Sequence, residues 1–262
     1  MYHFDELTFE QKEKFKEFKK ITSSSEIDVE AWCKITDENP YLWHTDSYFP
    51  DNFLDDYILR NNYNECNGYI NELKLLIENR SCTEREILNF ISNDKLFIAA
   101  AILKSFTLFG HHDGYIFKEF ELPPHYVCDY VIVGKNSDGY HFLLIEFENI
   151  YNNNITISNG DFGTTIRKGL NQIDDWKSWM DKNFQTFSSN LKRFKNKRET
   201  LPDEFNDYDS TRFTYCVVAG RREDYKEKTY RKVRELSKQN IILTHYDKLL
   251  EEAEFLLNSG SY

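Results

Sequence analysis

The sequence predicts an α/β protein: a central mixed sheet flanked by helices, preceded by a mostly helical amino-terminal extension. Two patterns carry that reading. Three hydrophobic runs, at about 115–122, 127–133 and 141–149, are separated by short turns and read as an antiparallel meander. After them, segments of helical period alternate with two further strand-like runs, Phe213 to Ala219 and Ile241 to Thr244. The division falls near residue 80, with an extension over 1–80 and the α/β domain over 81–262.

Taken in order, residues 8–20 (TFEQKEKFKEFKK) form a helix of alternating charge, ended by a Ser-rich break from Thr22 to Ser25. From Ile27 to Arg80 the pattern is short and aromatic-rich, with helical stretches at 52–62 and 66–79 and no residues that carry chemistry. A helix then starts at a capping box, Thr83-Glu84-Arg85-Glu86, and runs to about Phe106 with a break at Ser92–Asp94. The three strands follow. The loop Tyr151 to Thr164 is polar and Asn-rich, and a helix spans Thr165 to Asn183 with Ile166, Leu170, Ile173 and Met180 on one face. Residues 187–211 are expected to be an exposed, basic loop. The end is a charged helix at 227–239, the strand 241–244 and a helix from Tyr246 to Leu257.

The aromatics and an ordinary apolar share of 40% exclude a disordered chain. No run is long enough to span a bilayer, and the amino terminus lacks a signal peptide's apolar core. Five scattered cysteines without a Cys-x-x-Cys pair argue against a disulfide framework and a zinc site, and place the chain in a reducing cytoplasm. The net charge of −11 is unevenly spread: residues 1–80 hold 9 basic and 17 acidic groups, a net of −8, and the remainder only −3. Two basic stretches stand out there, Leu191 to Arg198 with five positive charges and Arg221 to Lys238 with eight. Either alone is most simply a solvated face.

The most informative feature is a cluster of acids on the second and third strands. Glu146 and Glu148 lie on one face of their strand, with Phe147 on the other. A hairpin folded symmetrically, with Gly134 facing His141, sets Asp129 opposite Glu146. Opposed strand residues sit roughly 5 Å apart, a spacing at which like charges destabilise a sheet. A divalent cation is the simplest remedy, and hard carboxylate oxygens suit Mg²⁺ or Mn²⁺. The plainer alternative is a solvated acidic face, but no basic residue alternates with these three. Glu119 and Glu121 share a strand face that reads as exposed, and Glu86 is explained by its cap. His111 and His112 fall in a turn and belong to no constellation.

The order of elements, with an Asp on the second strand and Glu-x-Glu on the third, resembles the PD-(D/E)xK nuclease superfamily. Four motifs narrow this: Leu144-Ile-Glu-Phe-Glu148; Gln172-Ile-x-x-Trp176 on the next helix; a strand ending in Gly220-Arg221; and Tyr246-Asp-x-Leu249. Together, over residues 83–257, they resemble the Shedu-type nuclease domain. The resemblance implies a restriction-endonuclease-like core and metal-dependent cleavage of nucleic acid, often in defence against bacteriophage. Asp129 falls on the metal-binding aspartate and Glu146 on the first motif glutamate. Glu148 stands where the superfamily usually has lysine, and there it binds a second ion or takes a proton from the attacking water. Lys168 is one turn from Gln172 on the same helical face and is expected to supply the missing positive charge. Gln172 is expected near the scissile phosphate.

Catalytic candidates are therefore Asp129, Glu146, Glu148, Gln172 and Lys168, the first three also as metal ligands, with Mg²⁺ or Mn²⁺ as cofactor. Lys192, Arg193, Lys195, Arg221 and Arg222 are candidate nucleic-acid contacts. Expected partners are nucleic acid, DNA in the first place, and further copies of the chain, with no membrane. Two alternatives stand beside this: a catalytically inactive nucleic-acid-binding or oligomerising module on the same fold, and a protein-interaction domain whose acids are surface.

Overall fold

A computed structural model describes residues 7–23, 28–39, 41–105, 113–151 and 155–262. Ser24, Ser25, the segment 152–154 of the predicted polar loop, and His111-His112 lie outside those residues. Five strands form one mixed sheet in chain order: β1 (Gly114–Leu122), β2 (Tyr126–Asn136), β3 (Gly139–Phe147), β4 (Phe213–Val218) and β5 (Ile241–Thr244). β1, β2 and β3 pair antiparallel as expected, whereas β4 and β5 are parallel to β3. That change of sense follows from connection length. A two-residue turn joins β2 to β3, while long crossovers containing helices join β3 to β4 and β4 to β5.

The hairpin register is the predicted one, with Gly134 facing His141. The turn is tighter than expected, because the strands stay paired out to Asn136 and Gly139. At its other end the ladder stops at Tyr130–Ile145, one step short of Asp129 and Glu146.

Helices cover both faces of the sheet. On one side lie α4 (Asp56–Asn61), α5 (Tyr63–Glu78), α6 (Glu84–Phe90), α7 (Leu96–Ala100) and α10 (Tyr246–Ser259). Their apolar residues meet Tyr130, Ile132, Leu143, Ile145 and Phe147. On the other side α8 (Thr164–Lys192) and α9 (Glu227–Ser237) meet Val131, Phe142, Leu144 and Val217. The capping box at Thr83 and Glu86 is present, and the predicted break after it is real.

One expectation is corrected. α8 does not end at Asn183. The residue leaves helical geometry there (φ −130°, ψ 21°) and its amide bonds the Trp179 carbonyl, but the helix kinks and continues. Residues 187–192, expected in an exposed loop, are thus helical, with Phe187 and Leu191 buried beside Phe184. Their period continues the apolar face past the kink, which a reading stopped by the polar residues 181–183 misses.

Hydrophobic packing runs across residue 80. Only α1 (Phe9–Thr22), α2 (Val29–Glu38) and α3 (Tyr41–Thr45) form a satellite, around Phe18, Ile35 and Leu42. Phe49 already belongs to the α8-side core, and Leu54, Leu59, Cys66, Ile70, Leu73 and Ile77 belong to the core on the α10 side. The second half of the helical segment is part of the α/β unit, because the amphipathic face of α5 fills the layer beside α10.

Candidate active site

The site forms where β3 ends. Ile145 and Phe147 pack on the α10 side, so Glu146 and Glu148 point to the α8 side. Glu148 continues past β3 by donating its N–H to the Val218 carbonyl, 2.8 Å away. Its own carbonyl accepts from the buried Tyr246 hydroxyl at 2.7 Å. The backbone that presents Glu148 is thus held from β4 and from α10.

α8 approaches this strand end closely because of Gly169. A Cβ there would lie 2.8 Å from Val217 Cγ1 and 3.2 Å from Glu148 Cγ. The approach brings Lys168 Nζ within 3.0 Å of both Glu148 oxygens. Only Oε2 is in hydrogen-bond geometry; Oε1 is buried without a hydrogen-bond partner. The Glu148 side chain is fully buried, whereas that of Lys168 is 62% exposed. Asp129 turns its Oδ2 to the Phe147 N–H, 2.6 Å away, where the backbone ladder has stopped.

The electrostatics are one-sided. Burial raises Glu146 well above the ordinary carboxylate range, and the charges of Asp129 and Glu148 raise it further. Burial also raises Asp129, opposed by the Phe147 N–H and reinforced by Glu84 and Glu148. Glu148 is raised by burial, although its bond to Lys168 pulls the other way. Burial alone would lower Lys168, but Glu148, Glu84 and Glu146 outweigh it and hold the ammonium above its usual range. Four carboxylates therefore converge on one lysine.

The fourth acid, Glu84, was not foreseen. It is the first residue of α6, raised by burial and pulled back by Lys168. The capping box drew attention to Glu86, which does no more than cap. Glu84 lies two residues earlier on the same helix start, and only the packing of α6 turns it toward the acids.

Among the described residues, no three histidine, cysteine, aspartate or glutamate side chains are gathered to hold a metal ion as they stand. The physical reason is visible, since Asp129 is turned to a backbone N–H and Glu148 to Lys168. The chemistry of the donors nonetheless suits a hard divalent cation: carboxylate oxygens only, one of them (Glu148 Oε1) buried and unbonded, and a surplus of negative charge.

Gln172 and Lys168 line a groove of about 580 Å³ between the first turns of α8 and the β1–β2 connection. The other candidates lie elsewhere or are engaged. Lys192, Arg193 and Lys195 sit at the far end of α8, beyond its kink at Asn183 and away from Lys168 near its start. There Lys195 bonds the carbonyls of Asn196 and Glu199, and Arg193 bonds Asn190. Arg221 clasps Asp247 through Nε and Nη2 and also donates to the Ile77 carbonyl and the Tyr151 hydroxyl. Arg222 pairs with Glu251, and half of its side chain stays exposed. Glu119 and Glu121 are exposed, as expected.

A family model described as Shedu protein SduA, C-terminal, matches residues 81–250. The chain belongs to that family. The match covers β1 to β5, all four acids and Lys168, and begins after α5 although the packed unit starts earlier. A search of curated proteins finds no match. Among the described residues, no helix is long and apolar enough to cross a membrane.

Proposed function

We propose that this Shedu-family protein is a nuclease with a restriction-endonuclease-like core, which hydrolyses phosphodiester bonds of DNA with Mg²⁺ or Mn²⁺, in defence against bacteriophage. The observation that carries the reading is the unbalanced cluster of Glu84, Asp129, Glu146 and Glu148 around a single lysine at the mouth of a groove. Perturbed acids gathered beside a groove are where catalytic chemistry is built, because a folded chain gains nothing structural from such repulsion.

Asp129 and Glu146 would hold the cation, with Oε1 of Glu148 as a further oxygen donor. When bound, the ion would supply charge neutralisation at the phosphate and ease the deprotonation of the attacking water. Lys168 offsets charge that grows on the phosphate oxygens, taking over from the lysine that Glu148 replaces. Glu148 keeps the Lys168 ammonium at the strand end, since its oxygens lie 3.0 Å from Nζ. Glu146 is the group whose surroundings most favour a protonated carboxyl, which suits it to hold a proton while the cation is absent. Gln172 lines the groove one turn along α8 and would orient a phosphate oxygen through its amide.

The test is cleavage of plasmid, linear and single-stranded DNA with Mg²⁺, Mn²⁺ or a chelator, using wild type and Glu146→Gln. Divalent-dependent cleavage lost in the variant supports the proposal. Cleavage that survives the chelator, or the variant cutting at the wild-type rate, would overturn it.

A further inference from the structure

The groove beside Lys168 has a second wall that the catalytic reading does not use. It is the β1–β2 connection, where His125 and Tyr126 sit edge to face with ring centroids 6.3 Å apart at 80°. This wall is rigidly mounted. Pro123 and Pro124 restrict its backbone. Trp179 Nε1 donates to the Pro123 carbonyl at 3.0 Å, and Asn190 Nδ2 donates to the Glu121 carbonyl at 2.8 Å. Both donors stand on α8, the helix that forms the opposite wall, so the two walls are held in fixed relation.

The opposite wall carries the complementary chemistry. Arg167 is exposed on the first turns of α8 beside Lys168, and Asn171 lies one turn on. A lone acid, Asp175, faces the groove farther along the helix. Cations on one side and fixed aromatic rings on the other are what a single strand needs: charge for its phosphates and a π-face for an unstacked base. A duplex keeps its bases stacked inward and offers Tyr126 nothing until one is turned out.

We propose that this groove binds an unpaired stretch of nucleic acid, with a base against Tyr126 and a phosphate at Arg167. The idea rests on the nuclease reading only in that a strand lying there leads past Lys168 to the carboxylates. The amide of Asn171 then faces the base edge, where it would hydrogen-bond rather than supply charge.

The experiment measures binding by fluorescence anisotropy in chelator, so that no cleavage enters. The probes are a labelled ten-nucleotide dT strand, a U strand of equal length and a blunt duplex. Wild type is expected to prefer a single strand, and the tighter of dT and U identifies the sugar. Tyr126→Ala should weaken single-strand binding about 5- to 100-fold with little effect on duplex, while Tyr126→Phe, which keeps the ring, should retain it. Arg167→Ala, at an exposed position, should flatten the salt dependence of single-strand binding by about 0.7 in log–log slope. The inference is overturned if wild type binds neither strand, or if Tyr126→Ala leaves single-strand affinity unchanged or weakens strand and duplex alike. Strand binding with this pattern but no divalent-dependent cleavage would keep the groove assignment and remove the nuclease reading. Cleavage without the pattern would do the reverse.

Discussion

Two ionic centres lie at the same end of this sheet, and they are built on opposite principles. Past β4, Arg221 meets Asp247 with three hydrogen bonds of 2.6 to 3.0 Å, while Asp247 also accepts the Arg222 N–H at 2.7 Å. Burial pushes Asp247 up, but the Arg221 fork and the Arg222 N–H more than reverse it and hold the carboxyl below its ordinary range. Where β3 ends beside β2, three acids and Glu84 share one lysine, and every carboxyl is pushed up. The first centre is matched charge for charge and joins α10 to the strand ends. The second is left unmatched, at a cost the rest of the core must offset. Unmatched charge that a fold retains at a groove is a mark of chemistry rather than of stability.

The sharpest way to break this comparison is at Glu146. Glu146→Gln should lower divalent-dependent cleavage by roughly 1000-fold, read as kcat on linear DNA, because it removes a ligand charge and a proton-holding group together. The same substitution should raise Tm in chelator at pH 8, since the neutral amide spares the folded chain the proton that the raised carboxyl must take up there. A variant that is both inactive and less stable would mean Glu146 is structural.

Lys168→Ala comes next, with cleavage expected to fall about 100- to 1000-fold. Lys177 is the internal control. It lies on another part of α8, with Nζ 3.5 Å from the Gln239 carbonyl and over the Tyr215 ring. Lys177→Ala should change cleavage less than about threefold. Equal and small effects of the two would leave a second cation as the better source of the missing charge.

At the matched centre the sign inverts. Arg221→Ala leaves the half-buried Asp247 with the Arg222 N–H but without its guanidinium, and should cost about 2–3 kcal/mol, discounted for partial exposure of both partners. Differential scanning fluorimetry should show Tm lower by about 4–12 °C. Between the centres, Gly169→Ala tests the close approach of α8. A Cβ 2.8 Å from Val217 forces the helix outward, at a cost of about 1–3 kcal/mol, and lengthens the Lys168–Glu148 pair. A stable, fully active Gly169→Ala protein would show that the approach is not needed.

The last test is the pH dependence. Asp129 and Glu146 titrate above their unfolded range, so the folded state holds protons that the unfolded state releases. In chelator their burial costs stability progressively as pH rises from the ordinary carboxylate range through the raised values, at up to about 1.4 kcal/mol per pH unit for each proton. Asp247, held low, stabilises above its unfolded range and loses that contribution as pH falls through its lowered value. Wild-type Tm should therefore decline from about pH 5 to 9, and Glu146→Gln should flatten that slope. Identical slopes would remove Glu146 from the set of strained acids.

The sheet and its acids were legible because both rest on local rules. Alternation and turn residues place β1 to β3 and the register, and the register alone sets Asp129 beside Glu146. The capping box locates α6, and the spacing of Lys168 and Gln172 puts them on one face of α8. Less legible was the reach of α8, where the polar residues before Asn183 read as an end although a side-chain amide merely kinks the helix. The engagement of the basic stretches was illegible for a related reason. Charge density along the chain does not say which guanidinium is already held, and Arg221 makes five side-chain hydrogen bonds to three partners.

What the sequence by itself determined is the type and order of the elements, the outward or inward face of each strand residue, and the three strand-end acids. All of these follow from periods of two and 3.6 residues that need no distant partner. What only the tertiary structure decided is everything that depends on how closely layers approach. Gly169 lets α8 settle on β3 so that Lys168 meets Glu148; α6 turns Glu84 rather than Glu86 toward the cluster; α5 joins the main core rather than the satellite of α1 to α3; and Arg221 closes on Asp247. Each is a contact between residues distant in sequence, set by packing and desolvation across layers, and no period along the chain encodes it.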